Sequence, residues 1–154
     1  MSDAHSVVAE LLSRGWVIAC GESLTAGLVS SQLAQVPGCS AVLRGGVVAY
    51  QRQVKEQVLA VSPQALAAGL VSREVAIALA AGAKQVMGAH VGIGTTGAAG
   101  PDPHDGAEPG SAWIAVVLPE GEPWTQELHL EGDRQSIREQ VAAAAVALAR
   151  SALA

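Results

Sequence analysis

The chain has 154 residues, 50% of them hydrophobic, which is the size and composition of one ordinary globular domain, so we expect a single domain over residues 1–154. Nine Lys and Arg against fourteen Asp and Glu give a net charge of −5, and no basic run could follow a nucleic-acid backbone, which excludes nucleic acid as a partner. The sequence has no signal peptide pattern and no apolar stretch of membrane-spanning length, so we expect a cytoplasmic protein.

The hydrophobic pattern predicts alternating helices and strands along the chain. The predicted helices cover residues 4–13, 25–35, 51–59, a short turn from 62, 72–88 and 133–153, and the predicted strands cover 16–20, 41–50, 89–95, 111–118 and 124–130. Strands this apolar need helices on both faces. We therefore predict an α/β fold, a three-layer α/β/α sandwich with a mixed sheet.

A polar turn, GESLTAG at 21–27, follows the first predicted strand. Ser23, Thr25 and the first amides of the next helix are suited to surround an anion, and phosphate is the natural candidate. Capping of the helix by Ser23 or Thr25 explains the same residues without any ligand, and it is the commoner situation for such a pair.

A second turn-rich segment follows the third predicted strand, in a loop over 96–110 that is long for a compact domain. Its residues 93–101 offer hydroxyls and backbone amides suited to a planar polar group or a developing oxyanion. A tight glycine turn is an equally good explanation on local grounds. Ligands on such sheets bind beyond the carboxyl ends of strands, so we expect both loops to face one crevice.

Three further side chains are the parts of an activated serine nucleophile that needs no histidine: Ser40, Tyr50 and Lys55, one of only two lysines. A neutral amine, kept neutral by desolvation, can accept the serine proton. The ordinary alternative for Lys55 is a solvated position on a helix surface.

Charged residues elsewhere have simpler explanations than a metal site. Asp102, His104 and Asp105 have metal-binding atoms but occupy a polar loop, and no His pair has the spacing of a metallohydrolase motif, so we expect no metal. At the start of the last predicted helix, Arg134 or Arg138 can contact a phosphate, and surface arginines beside a cap are the alternative.

Six blocks along the chain resemble one family. They are residues 21–27, 37–40, 45–50 with Lys55, 69–72, 96–101 and 132–134. In the same order, they are similar to the CinA C-terminal domain family, also known as the nicotinamide-nucleotide amidases. Any one block is unspecific, but together they cover nearly the whole chain.

This resemblance implies deamidation of nicotinamide mononucleotide to nicotinate mononucleotide and ammonia, a step of pyridine-nucleotide salvage. It also implies a mixed five-stranded sheet, self-association as a homo-oligomer, and no cofactor. Carried over by position, it makes Ser40 the nucleophile, Lys55 its base and Tyr50 a hydrogen-bonding partner. It assigns the carboxamide to Thr96, Gly97 and Gly100, the phosphate to Arg134 or Arg138, and the pocket lining to Glu22, Ser23, Thr25 and Gly27.

Two blocks differ from the family's usual pattern. The family often has Ser-Cys-Thr-Gly-Gly where this chain has SLTAG at 23–27, and Gly-Ser-Ser where it has GCS at 38–40. If the family serine aligned with Cys39, the nucleophile would be a thiol or the activity would be lost. Longer family members carry an additional N-terminal domain with no counterpart in this sequence, so we expect no pyrophosphatase activity.

Two other functions remain open from the sequence. A non-catalytic nucleotide-binding module, used for regulation or partner recruitment, predicts binding without turnover. A metal-dependent hydrolase predicts loss of activity with a chelator, and the absence of paired histidines disfavours it.

Overall fold

The computed structural model describes all 154 residues. Its helices are α1 (Asp3–Arg14), α2 (Leu28–Ala34), α3 (Arg52–Leu59), α4 (Pro63–Ala67), α5 (Arg73–Met87) and α6 (Arg134–Leu153). Its strands are β1 (Ile18–Glu22), β2 (Leu43–Val48), β3 (Val91–Gly97), β4 (Ser111–Val117) and β5 (Trp124–His129). A 3-10 turn, Cys39–Ala41, lies between α2 and β2.

The five strands form one mixed sheet in the order β2-β1-β3-β4-β5. β1 pairs in parallel with both β2 and β3, while β4 is antiparallel to β3 and β5 is antiparallel to β4. The carboxyl ends of β2, β1 and β3 therefore meet at one edge of the sheet. The predicted mixed sheet is confirmed.

Helices cover both faces of this sheet, as the apolar strands require. α1, α2 and α6 pack together on one face over the larger hydrophobic core, to which β1 contributes Ile18 and Cys20. α3, α4 and α5 lie on the other face, where Ala19 of β1 joins Leu59 and Leu79. The predicted three-layer α/β/α arrangement is confirmed, and no helix is long and apolar enough to cross a bilayer.

Glycines in the central strands let α5 approach the sheet closely. A Cβ atom added at Gly92 would lie 2.0 Å from the Ala80 carbonyl oxygen, and one at Gly94 would lie 2.1 Å from that of Ala76. Neither backbone oxygen can move away without breaking the helix. The seam between α5 and β3 is therefore backbone against backbone, and any larger residue there forces the two apart.

Two predicted boundaries differ from the structure at the edge where ligands are expected. β1 continues to Glu22 and the helix after it begins at Leu28 rather than 25, because residues 23–27 form a separate turn. β3 continues to Gly97 because Thr96 and Gly97 still pair with β4. The second loop thus begins two residues later than predicted, at Ala98.

Candidate active site

The turn over 23–27 begins with Ser23, directly after the last residue of β1. The Ser23 N–H donates to the main-chain oxygen of Thr95 at 3.1 Å, and it lies 3.3 Å from the Thr95 hydroxyl. That hydroxyl is 2.8 Å from the hydroxyl of Thr25. The start of the turn is therefore fastened to the end of β3, and Ser23 has a defined position beside two neighbouring strand ends.

Glu22 holds the same turn from its other side. Its carboxylate accepts hydrogen bonds from the N–H groups of Gly27, Val29 and Ser30, at 2.9–3.1 Å, and from the Ser30 hydroxyl at 2.7 Å. The residue is 1% exposed. The predicted contact of Glu22 with substrate is wrong, because its oxygens are occupied by the first turn of α2.

Lys55 reaches Ser23 from α3, the helix that follows the neighbouring strand β2. β2 ends at Val48, and α3 begins at Arg52 on the same edge of the sheet, so Lys55 lies one turn into that helix. Lys55 Nζ is 2.9 Å from Ser23 Oγ and donates to the main-chain oxygen of Tyr50 at 2.9 Å. The solvated alternative for this lysine is wrong, since it is 1% exposed.

Burial changes the acid–base behaviour of this amine. Removal from water disfavours the charged form, and it lowers the pKa of Lys55 from its ordinary value of 10.5 to about 8. No carboxylate lies against the amine to raise its pKa again. The arrangement supplies a serine hydroxyl and a base that becomes neutral near physiological pH.

Ser40 does not reach this amine, and its predicted pairing with Lys55 is wrong. Ser40 is exposed in the 3-10 turn just before β2, whose first residue, Leu43, pairs with Ile18 at the start of β1. Ser23 follows the other end of β1. The two serines are separated by the length of that strand, roughly 16 Å. Cys39 lies at the same distant end as Ser40, where its thiol donates to the Ala34 oxygen.

A cavity of about 270 Å³ opens beside Ser23. It is lined by Ser23, Leu24, Tyr50, Gly97, Arg134 and residues 99–104. The turn after β1 and the loop after β3 thus meet at one cavity. Because parallel strands β1 and β3 are neighbours, their carboxyl ends necessarily place these segments together.

Arg134 spans one side of the cavity. One of its terminal nitrogens donates to the Gly100 oxygen at 2.6 Å, and the other donates to the Tyr50 hydroxyl at 2.6 Å. No carboxylate of the chain forms an ion pair with this guanidinium. Its charge is therefore available to an anionic ligand in the cavity. The predicted partnership of Tyr50 with Lys55 is made by the Tyr50 main chain, while its phenol contacts Arg134.

Arg138 has a different role from the phosphate contact predicted as an alternative. Its Nε donates to the Leu24 oxygen at 2.7 Å and one terminal nitrogen donates to the Thr25 oxygen at 3.4 Å. The other terminal nitrogen donates to the side chain of Gln135 at 2.7 Å. Arg138 does not line the cavity. Of the two arginines, the structure brings only Arg134 to it.

Thr96 is also used inside the fold. Its hydroxyl donates to the Leu70 oxygen at 2.6 Å, and the residue is 2% exposed and outside the cavity lining. The predicted contact of the Thr96 hydroxyl with the carboxamide is wrong. The threonine next to Ser23 is Thr95. Alternation along β3 explains the difference, because successive side chains point to opposite faces.

The remaining predicted residues divide between the cavity and its support. Gly97 and Gly100 line the cavity, and a Cβ at Gly97 would lie within 3.0 Å of Leu24 and of β4. Thr25 and Gly27 do not line it: the Thr25 side chain is fully buried, and the Gly27 N–H donates to Glu22. The predicted contact with substrate is wrong for Gly27 and for the Thr25 side chain, and only the main-chain N–H of Thr25 remains for a ligand.

Two backbone N–H groups directly after Ser23 are free. The amides of Leu24 and Thr25 donate no hydrogen bond within the chain, although both residues are buried. Adjacent free amides beside a nucleophile are the usual donors of an oxyanion hole. The turn after β1 therefore supplies a hydroxyl on Ser23 and two hydrogen-bond donors for a negative charge on the next two residues. Helix α3 supplies the base.

The donor atoms of the loop after β3 are dispersed. Asp102 and His104 line the cavity, whereas the Asp105 carboxylate accepts a hydrogen bond from the Leu70 N–H at 2.7 Å. No group of three His, Cys, Asp or Glu side chains is placed to hold a metal ion.

The family resemblance predicts Ser23 as a substrate-binding residue and not as the partner of Lys55. The available signal was position. Ser23 follows a predicted strand, and Lys55 follows the next one, so parallel pairing of these strands brings both to the same edge. Ser40 precedes its strand and belongs to the opposite edge.

The sequence is similar to known proteins along nearly its whole length. Residues 2–153 match the family model described as the CinA C-terminal domain. A CinA-like protein from Anaeromyxobacter dehalogenans is 47% identical over 149 residues, which are 96% of this chain and 36% of that protein. The chain spans about one third of the length of the curated relatives it matches.

Solved structures show the same arrangement of helices and strands. A competence-damaged protein (CinA) superfamily protein from Klebsiella pneumoniae superposes with a TM-score of 0.91 at 29% identity, covering 98% of this chain and 95% of that one. A protein of the same superfamily from Escherichia coli superposes with a TM-score of 0.88 at 28% identity, covering 98% and 87%.

Proposed function

This chain belongs to the CinA C-terminal domain family, and we propose that it hydrolyses the carboxamide of nicotinamide mononucleotide to nicotinate mononucleotide and ammonia. Ser23 is the nucleophile and Lys55 is its base. The observation that carries the proposal is the 2.9 Å contact between Lys55 Nζ and Ser23 Oγ beside the cavity. A buried amine next to a serine hydroxyl is an established way to activate serine without histidine.

The neutral form of Lys55 is the reactive one. With a pKa of about 8, roughly a tenth of the amines are neutral at pH 7. The neutral nitrogen accepts the Ser23 proton through its lone pair while an N–H still donates to the Tyr50 oxygen. That second contact holds the amine beside Ser23, so proton transfer needs no movement of the base along the chain.

Attack by Ser23 Oγ forms a bond to the carboxamide carbon and moves the carbonyl electron pair onto its oxygen. The free N–H groups of Leu24 and Thr25 are the donors that stabilise this oxyanion. In enzymes of this type, one such donor contributes about 3–4 kcal/mol to the transition state.

The tetrahedral intermediate then breaks at its carbon–nitrogen bond. The Lys55 ammonium returns the proton to the amide nitrogen, and ammonia leaves an ester on Ser23. Water loses a proton to the same amine and attacks the ester carbon. The Ser23 oxygen recovers a proton as it leaves, so one carboxamide and one water give one carboxylic acid and one ammonia.

The cavity suits a small anionic nucleotide. Arg134 is on its wall with no carboxylate partner, which fits a phosphate group. Asp102, also on the wall, is a carboxylate of the kind that accepts hydrogen bonds from ribose hydroxyls. No resident cofactor is needed, because every proton in the reaction moves between Ser23, Lys55, substrate and water.

The reaction returns a pyridine mononucleotide to its acid form, so we place it in pyridine-nucleotide salvage. We propose that the protein acts in the cytoplasm as a homo-oligomer, in keeping with its family.

The direct experiment measures ammonia release from chelator-treated protein given nicotinamide mononucleotide, with the nucleotide product identified by chromatography. We expect turnover by the wild-type protein and a loss of more than about 10³-fold in kcat for Ser23→Ala and for Lys55→Met. Ser40→Ala is the matched control, and it should keep wild-type activity because Ser40 lies at the other edge of the sheet.

Two results would contradict the proposal. An active Ser23→Ala protein with an inactive Ser40→Ala protein would restore the distant serine as nucleophile. Saturable binding without turnover in the wild-type protein would identify a nucleotide-binding regulatory module instead of an amidase.

A further inference from the structure

The guanidinium of Arg138 is bonded to the carbonyl oxygens of the turn that carries Ser23. Its Nε donates to the Leu24 oxygen at 2.7 Å, and a terminal nitrogen donates to the Thr25 oxygen at 3.4 Å. Arg138 is half-buried and outside the cavity lining. It therefore places a positive charge next to the turn without access to the ligand.

The first of these contacts acts on an oxyanion donor through one peptide group. The carbonyl of Leu24 and the N–H of Thr25 belong to the same amide. A cationic donor on the carbonyl draws electron density from the nitrogen and makes the N–H a stronger donor. Since the Thr25 N–H is free, this added strength is available to the oxyanion.

The second contact leads to the other oxyanion donor through one more hydrogen bond. The Thr25 carbonyl shares its amide with the Ala26 N–H, which donates to the Ser23 oxygen at 3.1 Å. The Ser23 carbonyl in turn shares its amide with the Leu24 N–H. Arg138 thus polarises both free amides and makes each N–H a stronger donor. It acts on Thr25 through one peptide group, and on Leu24 through two peptide groups joined by a hydrogen bond.

Arg138 also fixes the orientation of these amides. It belongs to α6, a helix of 20 residues whose neighbouring side chains Ile137 and Val141 are buried in the larger core. Two hydrogen bonds from one planar guanidinium constrain the Leu24 and Thr25 peptide planes to that helix. Donors that are fixed before the reaction need no reorganisation when charge develops.

We propose that Arg138 is a positioning residue that orients and polarises the Leu24 and Thr25 amides as the oxyanion hole of Ser23. The inference rests on the proposed function, which supplies the reaction. It differs from a simple clamp between α6 and the turn, because a clamp affects folding and substrate affinity rather than the charged transition state in particular.

The test compares Arg138→Gln and Arg138→Lys with Arg44→Gln, a matched control. Arg44 also donates from Nε to a backbone oxygen, that of Met87 at 3.0 Å, but it lies outside the cavity lining. For each protein we would measure kcat and KM for nicotinamide mononucleotide, the rate of Ser23 labelling by a fluorophosphonate, and the thermal midpoint. The labelling reaction forms a tetrahedral phosphorus adduct at Ser23, so it reports on the oxyanion hole without the nucleotide.

For Arg138→Gln we expect kcat and the labelling rate to fall about tenfold or more, with KM within about twofold of wild type. Arg138→Lys keeps one cationic donor and should recover part of this loss. Arg44→Gln should match the wild-type protein in both rates. The limb of the pH–rate profile near 8 should stay in place in every variant, since Arg138 does not contact Lys55.

A wild-type kcat and labelling rate in Arg138→Gln would overturn the inference, as would a raised KM with unchanged kcat. If Arg138→Gln does not fold, Arg138→Lys decides by the same comparison, and wild-type rates there overturn the inference. A wild-type protein that is labelled but does not turn over the nucleotide would overturn only the proposed substrate. In that case, slower labelling of the Arg138 variant would still support the inference. A wild-type protein neither labelled nor active overturns both proposals.

Discussion

Lys55 and Glu22 are the two fully buried charged side chains of the molecule, and they differ in their hydrogen-bond partners. The Glu22 carboxylate accepts four hydrogen bonds at the start of α2, three from backbone N–H groups and one from the Ser30 hydroxyl. The Lys55 amine has only the Ser23 hydroxyl and the Tyr50 oxygen. A buried cation with so few partners is disfavoured in its charged form, so more of the amine is neutral and able to accept a proton near physiological pH.

The pH dependence of the reaction follows from this amine. Only the neutral form accepts the serine proton, so kcat/KM should rise about tenfold per pH unit below 8 and level off above a pKa of about 8. The measurement is kcat/KM for nicotinamide mononucleotide between pH 6 and roughly 10. An activity that falls as the pH rises through 8 would show that a protonated group, rather than neutral Lys55, is required.

The free energy of unfolding should also depend on pH through Lys55. The pKa of Lys55 is about 8 in the folded protein against 10.5 ordinarily, a difference of roughly 3 kcal/mol against the buried cation. The unfolded chain binds more protons between these values, so wild-type stability rises with pH across this window. Two lost hydrogen bonds offset part of the gain in Lys55→Met, which should be about 1 kcal/mol more stable at pH 7.

Urea denaturation at several pH values measures this difference. The advantage of Lys55→Met should shrink as the pH rises from 8 toward 10.5, because the wild-type amine becomes neutral and methionine does not titrate. An advantage that grows over this range would mean that the amine is more stable charged than neutral in the fold.

At the level of single elements, α2 depends on a cap that comes from a strand. Gly27 provides no side-chain cap, and the Glu22 carboxylate binds the first amides of the helix instead. Glu22→Ala leaves four donors without a partner and should lower the free energy of unfolding by about 3 kcal/mol or more. The control is Ser62→Ala, which removes an exposed cap from α4 and should cost about 1 kcal/mol.

Denaturation curves for both variants compare the two caps directly. Equal losses would mean that α2 does not rely on Glu22, and that the turn with Ser23 is held by its contacts to Thr95 alone.

The seam between α5 and β3 makes a separate prediction for glycine. Gly92→Ala places a methyl group 2.0 Å from the Ala80 oxygen, so the helix must move and the variant should lose more than about 3 kcal/mol or fail to fold. Gly121→Ala is the control: nothing lies within 4 Å of its added Cβ, and its positive φ of 90° costs about 1–2 kcal/mol. Thermal unfolding of the two variants should therefore rank Gly121→Ala well above Gly92→Ala.

The elements themselves were predictable because their side chains repeat with the periods of helix and strand, and every predicted helix and strand is present. The site was only partly predictable. Choosing between Ser23 and Ser40 requires knowing that β1 and β2 are parallel neighbours, and this pairing is a long-range property with no local sequence signal. The same is true of the two threonines: Thr95 contacts Ser23 because β1 and β3 are neighbours, and alternation along β3 turns Thr96 to the other face.

In the molecule as a whole, the central strand of the sheet is covered on both faces, and the two outer strands, β2 and β5, are partly open to solvent. Every residue of β3 is buried, whereas buried and exposed residues are mixed in the edge strand β5 and half of the residues in β2 are exposed. Amide hydrogens of β3 should exchange only through global unfolding, and those of β2 and β5 should exchange faster by local opening. Hydrogen exchange followed by mass spectrometry would show this order, and equal protection of β2 and β3 would indicate that the β2 edge is covered in solution.

Tyr50 is the only tyrosine of the chain, and it lies on the cavity wall with its hydroxyl on Arg134. The protein therefore contains a single phenol ring, placed on the wall of the cavity proposed to bind the nucleotide. Uniform labelling of tyrosine with a fluorinated or isotopically enriched ring gives one magnetic resonance signal per chain. A titration of that one signal would report occupancy of the cavity, including by compounds that are bound and never converted.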